Sequence, residues 1–75
     1  MIEIYGKDGC YFCHMAKDLC ENNNLEYVYK KVGADLSREE LLEMFPNAST
    51  VPQIKIDGKS VGGFAELEKH FKKLN

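Results

Sequence analysis

Between residues 2 and 20 the apolar side chains change their period, and a pair of cysteines stands at the change. Ile2 and Ile4 alternate with Glu3 and Tyr5, the pattern of a short, half-buried strand. Lys7-Asp8-Gly9 breaks that alternation. Phe12, Met15, Ala16, Leu19 and Cys20 then recur at three- and four-residue spacing, which predicts an amphipathic helix from about Tyr11 to Glu21. Asn22-Asn23-Asn24 should stop it, because Asn tolerates the left-handed conformation of a helix end. Leu25-Glu26-Tyr27-Val28-Tyr29 is rich in strand formers. Strand, helix and strand in this order make a βαβ crossover with two parallel strands, right-handed by the usual rule. Cys10 therefore falls where the first strand ends and the helix begins.

The remaining sequence supplies four more elements. Leu36-Ser37-Arg38-Glu39-Glu40-Leu41 carries a helix-start signature: Ser37 and Glu40 are placed to exchange side-chain-to-backbone hydrogen bonds, with Leu36 and Leu41 as a hydrophobic staple around them. That helix should end near Phe45, because Pro46 disfavours helical geometry in the residue before it. Gln53-Ile54-Lys55-Ile56 alternates as a strand, Asp57-Gly58 is a favoured two-residue hairpin turn, and Lys59-Ser60-Val61 returns antiparallel. Gly62-Gly63 releases the chain into a last helix with Phe64, Leu67, Phe71 and Leu74 on one face. Lys69, Lys72 and Lys73 near its C-terminus suit the helix dipole.

Seventy-five residues are expected to form one domain, residues 1–75. A domain of this size buries only about 60% of the surface its unfolded chain exposes, so its core is small. A net charge of −2 with both signs interleaved gives no basic stripe for nucleic acid. No apolar run approaches the roughly 18 residues of a membrane span. The start Met1-Ile2-Glu3-Ile4-Tyr5 lacks the basic and apolar regions of a signal peptide, so a cytoplasmic protein is expected. Three cysteines, two of them in a C-x-x-C, argue for redox chemistry or metal binding over a stapled secreted scaffold.

A thiol reacts as its thiolate, and an ordinary cysteine with a pKa of about 8.5 is mostly protonated at neutral pH. Cys10 at a helix N-terminus meets unpaired backbone N–H groups and the positive end of the dipole, both of which favour the charged sulfur. Lys7 adds a cation nearby and Asp8 opposes it. Cys10 is thus read as the exposed nucleophile, and Cys13, one helical turn further in, as the resolving thiol. Cys10 attacks a disulfide and forms a mixed disulfide; Cys13 then closes Cys10–Cys13 and releases the partner. A purely structural bridge is poorly motivated, because a loop with two residues between its cysteines removes little chain entropy.

Two rival chemistries share these residues. Cys10-Tyr11-Phe12-Cys13-His14 spells C-x-x-C-H, the attachment signature of a c-type haem. That chemistry wants an export signal and a mostly helical pocket, and it leaves the strands and the hairpin unexplained. For zinc, Cys10, Cys13, His14 and Cys20 supply enough ligand atoms. Structural zinc sites, however, combine two separated ligand pairs, whereas Cys20 sits two turns along the same helix. No metal site is expected.

The whole chain resembles the glutaredoxins. The matching pieces are Glu3-Ile4-Tyr5, Lys7, Cys10-x-x-Cys13, Ala16-Lys17, Thr50-Val51-Pro52-Gln53-Ile54 and Gly62-Gly63, in that family's order and spacing. Gly62-Gly63-Phe64 and the compact length are similar to small phage and bacterial glutaredoxins of the dithiol type. The resemblance implies an α/β thioredoxin fold, a four-stranded mixed sheet flanked by three helices. It implies a glutathione groove beside Cys10, formed by Lys7, Tyr11, Phe12, Arg38, Thr50, Val51, Pro52, Gly63, Phe64 and Ala65. In that groove Pro52 is cis and Val51 offers its backbone to the glutathione cysteine. Lys7 and Arg38 match positions for one glutathione carboxylate, and the N–H groups of Phe64 and Ala65 would receive the other. The chain departs from the family at Tyr11, which stands where Pro is frequent, and at Phe12, in place of the frequent Tyr. It departs again at Ala65, where many relatives carry an Asp that Glu66 would replace in part.

The implied activity is glutathione-dependent reduction of protein disulfides and glutathione mixed disulfides. It needs no tightly bound cofactor; glutathione is the reducing co-substrate. Disulfide-containing clients, ribonucleotide reductase among them, would be the partners of a monomer. Two alternatives keep the fold: recharging by a thioredoxin reductase, and a dimer in which Cys10 and glutathione from two chains hold a [2Fe–2S] cluster. Of the remaining residues, Cys20 is read as core, His14 and His70 as surface, and Tyr27 and Tyr29 as strand packing. Tyr11 is expected to be exposed and to touch substrates.

Overall fold

The structure, a computed structural model, describes residues 1–72. Its elements run β1 (Ile2–Gly6), α1 (Tyr11–Asn22), β2 (Tyr27–Lys31), α2 (Arg38–Met44), β3 (Gln53–Ile56), β4 (Lys59–Gly62) and α3 (Phe64–Lys72). The four strands form one mixed sheet in the order β2-β1-β3-β4. β1 and β2 are parallel, with Ile2 opposite Tyr27 and Gly6 opposite Lys31, as the crossover demands. β1 with β3 and β3 with β4 are antiparallel.

Strand alternation divides the core between the two sheet faces. Ile2, Ile4 and Ile54 pack with Ala16 and Cys20 of α1 and Leu67 of α3. Tyr5 points the other way and packs with Leu41 and Phe45, the inner residues of α2 and its C-cap. Ile4, Ala16, Cys20, Ile54 and Leu67 are fully buried. Burying a large aliphatic side chain completely is worth about 1.5–3 kcal/mol, so this layer carries much of the stability of so short a chain.

The local signals act as their chemistry predicts. Ser37 Oγ accepts from Glu40 N–H at 3.0 Å, and Glu40 Oε1 accepts from Ser37 N–H at 2.9 Å, with Leu36 packed against the cluster of Tyr5, Leu41 and Phe45. Phe45, held non-helical before Pro46, caps α2. Asp57 and Gly58 turn the β3–β4 hairpin with φ of 51° and 84°. A register shift at Ile54/Lys55 pairs Ile54 with Gly62, whose φ is 114°, and this irregularity delivers the chain to α3.

The second strand differs from its expected range, Leu25–Tyr29. Asn24 takes the left-handed conformation (φ 54°) and Leu25 N–H is bound to Cys20 O at 2.8 Å, so Leu25 and Glu26 belong to the exit from α1. The strand extends instead through Lys30 and Lys31, at the sheet edge, where a long charged side chain keeps its head in water. Lys73 and Leu74, expected on the last helix, lie outside the described residues. Among the described residues no helix is long and apolar enough to cross a membrane.

Candidate active site

Cys10 is the N-cap of α1, with extended backbone (φ −99°, ψ 110°). Its Sγ accepts from Cys13 N–H at 3.2 Å, the hydrogen bond that a Ser or Asp oxygen makes at an ordinary helix start. His14 N–H closes the first helical turn on Cys10 O at 3.1 Å. No acidic residue stands in the first turn of α1. The unpaired N–H groups at this end are therefore free to favour negative charge on the Cys10 sulfur.

Cys10 and Cys13 are joined as a disulfide, with Cα atoms 5.2 Å apart. The two sulfurs have unequal access: Cys10 is partly exposed, whereas Cys13 is 1% exposed, under β1. Gly6 makes that depth possible, since a Cβ there would lie 2.8 Å from Cys13 Sγ and 2.4 Å from Tyr29 Oη. Of the two cysteines, Cys10 is therefore the one that a partner can reach from solvent.

The Val51–Pro52 bond is cis, and Val51 O lies 3.7 Å from Cys10 Sγ. Gln53 Nε2 donates to Thr50 O at 2.8 Å and fixes the loop ahead of that bond. Two grooves meet at Thr50 and Val51. One is lined by Lys7, Arg38, Leu41 and Leu42; the other by Phe12, Pro52, Gly63, Phe64, Ala65 and Glu66. Every residue expected to bind substrate lines one of these grooves except Tyr11. Tyr11 is 69% exposed and stands outside both, its ring set edge-on to Phe12 at 5.3 Å. Phe12 in turn lies 5.9 Å from Phe64.

Charge is distributed unevenly along this surface. Asp8, the carboxylate next to Lys7 in sequence, is instead engaged by Lys31 Nζ at 2.9 Å, and this hydrogen bond pushes the Lys31 pKa up. Lys7 and Arg38 thus leave one groove cationic. At the other end Glu66 Oε1 accepts from Gly63 N–H at 3.0 Å and sits over Gly62, where a Cβ would meet it at 2.7 Å. The start of α3 therefore already carries a carboxylate.

The residues set aside in sequence lie where expected. Cys20 is a free thiol buried in the core, and burial pushes its pKa up. His14 and His70 are exposed, His14 Nε2 lying 3.4 Å from Asp18. Tyr27 and Tyr29 pack against the core. The position of the Tyr29 hydroxyl was not legible in sequence, because it depends on the β1–β2 register. That register sets Tyr29 opposite Ile4, on the face that carries α1, with its Oη 3.4 Å from Lys7 O.

The family model for glutaredoxin matches residues 2–61. The chain belongs to the glutaredoxin family. A glutaredoxin-like protein of the rubredoxin operon of Clostridium pasteurianum is 33% identical over 75 residues, covering 97% of this chain and 100% of that one. Glutaredoxin 3 of Escherichia coli is 32% identical over 66 residues, 88% of this chain and 80% of its own. The crystal structure of glutaredoxin 1 from Francisella tularensis superposes with a TM-score of 0.82 at 31% identity, over 97% and 93% of the two chains. The mixed four-stranded sheet with three helices is the thioredoxin fold of these glutaredoxins. An intact C-x-x-C dithiol on that fold supports thiol–disulfide oxidoreductase activity. The geometry accounts for such chemistry in a glutaredoxin: one accessible sulfur, one protected sulfur a helical turn away, and a helix start that favours the thiolate.

Proposed function

We propose that this glutaredoxin reduces protein disulfides and glutathione mixed disulfides, with glutathione as its reducing co-substrate. The observation that carries the reading is the meeting of two grooves at Thr50 and Val51, where Val51 O lies 3.7 Å from Cys10 Sγ. A tripeptide disulfide seated across that junction would place its own sulfur at Cys10 and its backbone against Val51. Lys7 and Arg38 would hold one carboxylate by charge-assisted hydrogen bonds. Gly63, Phe64 and Ala65 would take the other end, with Phe12 and Pro52 as its apolar floor. A buckwheat glutaredoxin, 25% identical with a TM-score of 0.71, was solved with glutathione. In this reading residues 1–75 act as one cytoplasmic, monomeric domain with no tightly bound cofactor. Its clients are disulfide-containing proteins, ribonucleotide reductase being one that the family suggests.

One observation favours a second reading. The Glu66 carboxylate already occupies Gly63 N–H, and like charge at that spot opposes a glutathione carboxylate. On that reading a thioredoxin reductase recharges the dithiol. The deciding assay supplies glutathione with glutathione reductase, or thioredoxin reductase alone, and follows turnover of a glutathione mixed disulfide. Turnover with glutathione supports the first reading. Turnover with thioredoxin reductase alone overturns it.

A further inference from the structure

Disulfide closure requires Cys13 to act as a thiolate, yet Cys13 is 1% exposed. A buried thiolate without a hydrogen-bond donor is costly, because burial disfavours the charged form. The helix start that serves Cys10 does not serve Cys13, which sits within the first turn of α1. Some other group must face that sulfur when it is charged.

Gly6 marks which group this is. The point where a Cβ on Gly6 would lie is 2.8 Å from Cys13 Sγ and 2.4 Å from Tyr29 Oη, so sulfur and hydroxyl border the same small space. The hydroxyl's acceptor in the oxidised protein is Lys7 O at 3.4 Å, a long contact near the limit for a hydrogen bond. Tyr29 is held in place by its packing against the core and by Lys17 Nζ, 4.7 Å from its ring centre. Burial pushes its pKa up and Asp8 adds to that, against the smaller opposing effect of Lys31, so the phenol keeps its proton.

We propose that the Tyr29 hydroxyl donates a hydrogen bond to the Cys13 thiolate and thereby promotes closure of the disulfide. After Cys10 has formed a mixed disulfide, Cys13 S–H gives its proton to solvent and Tyr29 O–H turns from Lys7 O to the charged sulfur. Cys13 S⁻ then attacks Cys10 Sγ. The Cys13–Cys10 bond forms, the bond from Cys10 to the partner sulfur breaks, and the partner leaves as a thiolate with that electron pair. Tyr29 keeps its own proton throughout and returns to Lys7 O when the charge has gone. This deepens the thiol-exchange reading and rests on it, independently of whether glutathione is the donor.

The test reacts the reduced protein with 5,5′-dithiobis(2-nitrobenzoate) and follows the two thionitrobenzoate releases by stopped flow. The first release reports attack by Cys10, and the second reports closure by Cys13. Cys13→Ser keeps the first release and abolishes the second. Tyr29→Phe retains the ring and its packing. It should leave the first release within two-fold of wild type, which also shows that the variant is folded. It should slow the second about ten-fold, the effect of removing one hydrogen bond to a charged group, and move the pH midpoint of that phase upward by about one unit. A Tyr29→Phe protein whose second phase keeps the wild-type rate and midpoint overturns the role of Tyr29. Wild-type protein that shows no first release from Cys10 overturns the exchange reading itself.

Discussion

Replacing Gly6 by Ala tests how tightly β1 and α1 are pressed together at the disulfide. The added methyl would sit 2.4 Å from Tyr29 Oη, 2.8 Å from Cys13 Sγ and 3.0 Å from Cys13 Cβ. These neighbours do not yield equally. Tyr29 Oη is the tip of a half-buried ring that can swing outward. Cys13 Cβ cannot, because it is fixed by α1 on one side and by its bond to Cys10 on the other. The clash must therefore be relieved by moving α1 away from the sheet, next to fully buried Ile4 and Ala16. Overpacking of this kind costs about 1–3 kcal/mol. For a domain of this length each kcal/mol lowers Tm by about 4–8 °C. Thermal unfolding of oxidised Gly6→Ala, followed by far-ultraviolet circular dichroism, should show a loss of about 10 °C. A Tm within about 2 °C of wild type would refute the packing argument, since it would mean that the space beside Gly6 is loose.

Other consequences follow from the same contacts. Ser37→Ala removes the Oγ that accepts from Glu40 N–H and should lower stability by about 1 kcal/mol in urea unfolding, with an unchanged m-value. Burial, with help from the hydrogen bond to Glu3, pushes the Tyr5 phenol up to about 12 from 10.0. The folded state thus holds that proton more tightly than the unfolded chain does. The benefit is complete below pH 10 and disappears as pH rises from 10 towards 12, about 2–3 kcal/mol in all, and Tyr5→Phe should flatten this stretch of the stability–pH curve. Cys10→Ser should abolish reduction of a glutathione mixed disulfide, whereas Cys13→Ser should retain it, because only Cys10 is needed to accept the first sulfur. Cys20, buried in the core, should resist iodoacetamide in the native protein and react in urea, as peptide mass mapping would read directly.

Much of this was legible because it is local. The alternation of Ile2 and Ile4, the helical spacing of Phe12 to Cys20 and the Ser37–Glu40 box each depend on a few neighbouring residues, and each forms the element it predicts. The cysteine pair could be placed at the helix mouth for the same reason. The second strand slid by two residues because its start is set by how α1 unwinds through Asn24 and Leu25, and its end by pairing with β1. The grooves were legible only through family resemblance, since Lys7 and Thr50 meet by tertiary folding. Two contacts gave no usable signal in sequence. Glu66 reaches back to Gly63 only because the chain enters α3 through a left-handed Gly62, and the Tyr29 hydroxyl reaches the space beside Cys13 only because Gly6 leaves that space open.

Thiol exchange by this protein requires Cys10 to be charged at neutral pH while Cys13 is shielded. Alkylation of the reduced protein with iodoacetamide, measured from pH 4 to 10 with each thiol followed by mass, tests this directly. Cys10 should react first, with a midpoint below about 7.5, as for cysteines at helix N-termini. A midpoint for Cys10 at or above the ordinary value of about 8.5, or faster modification of Cys13, would contradict it.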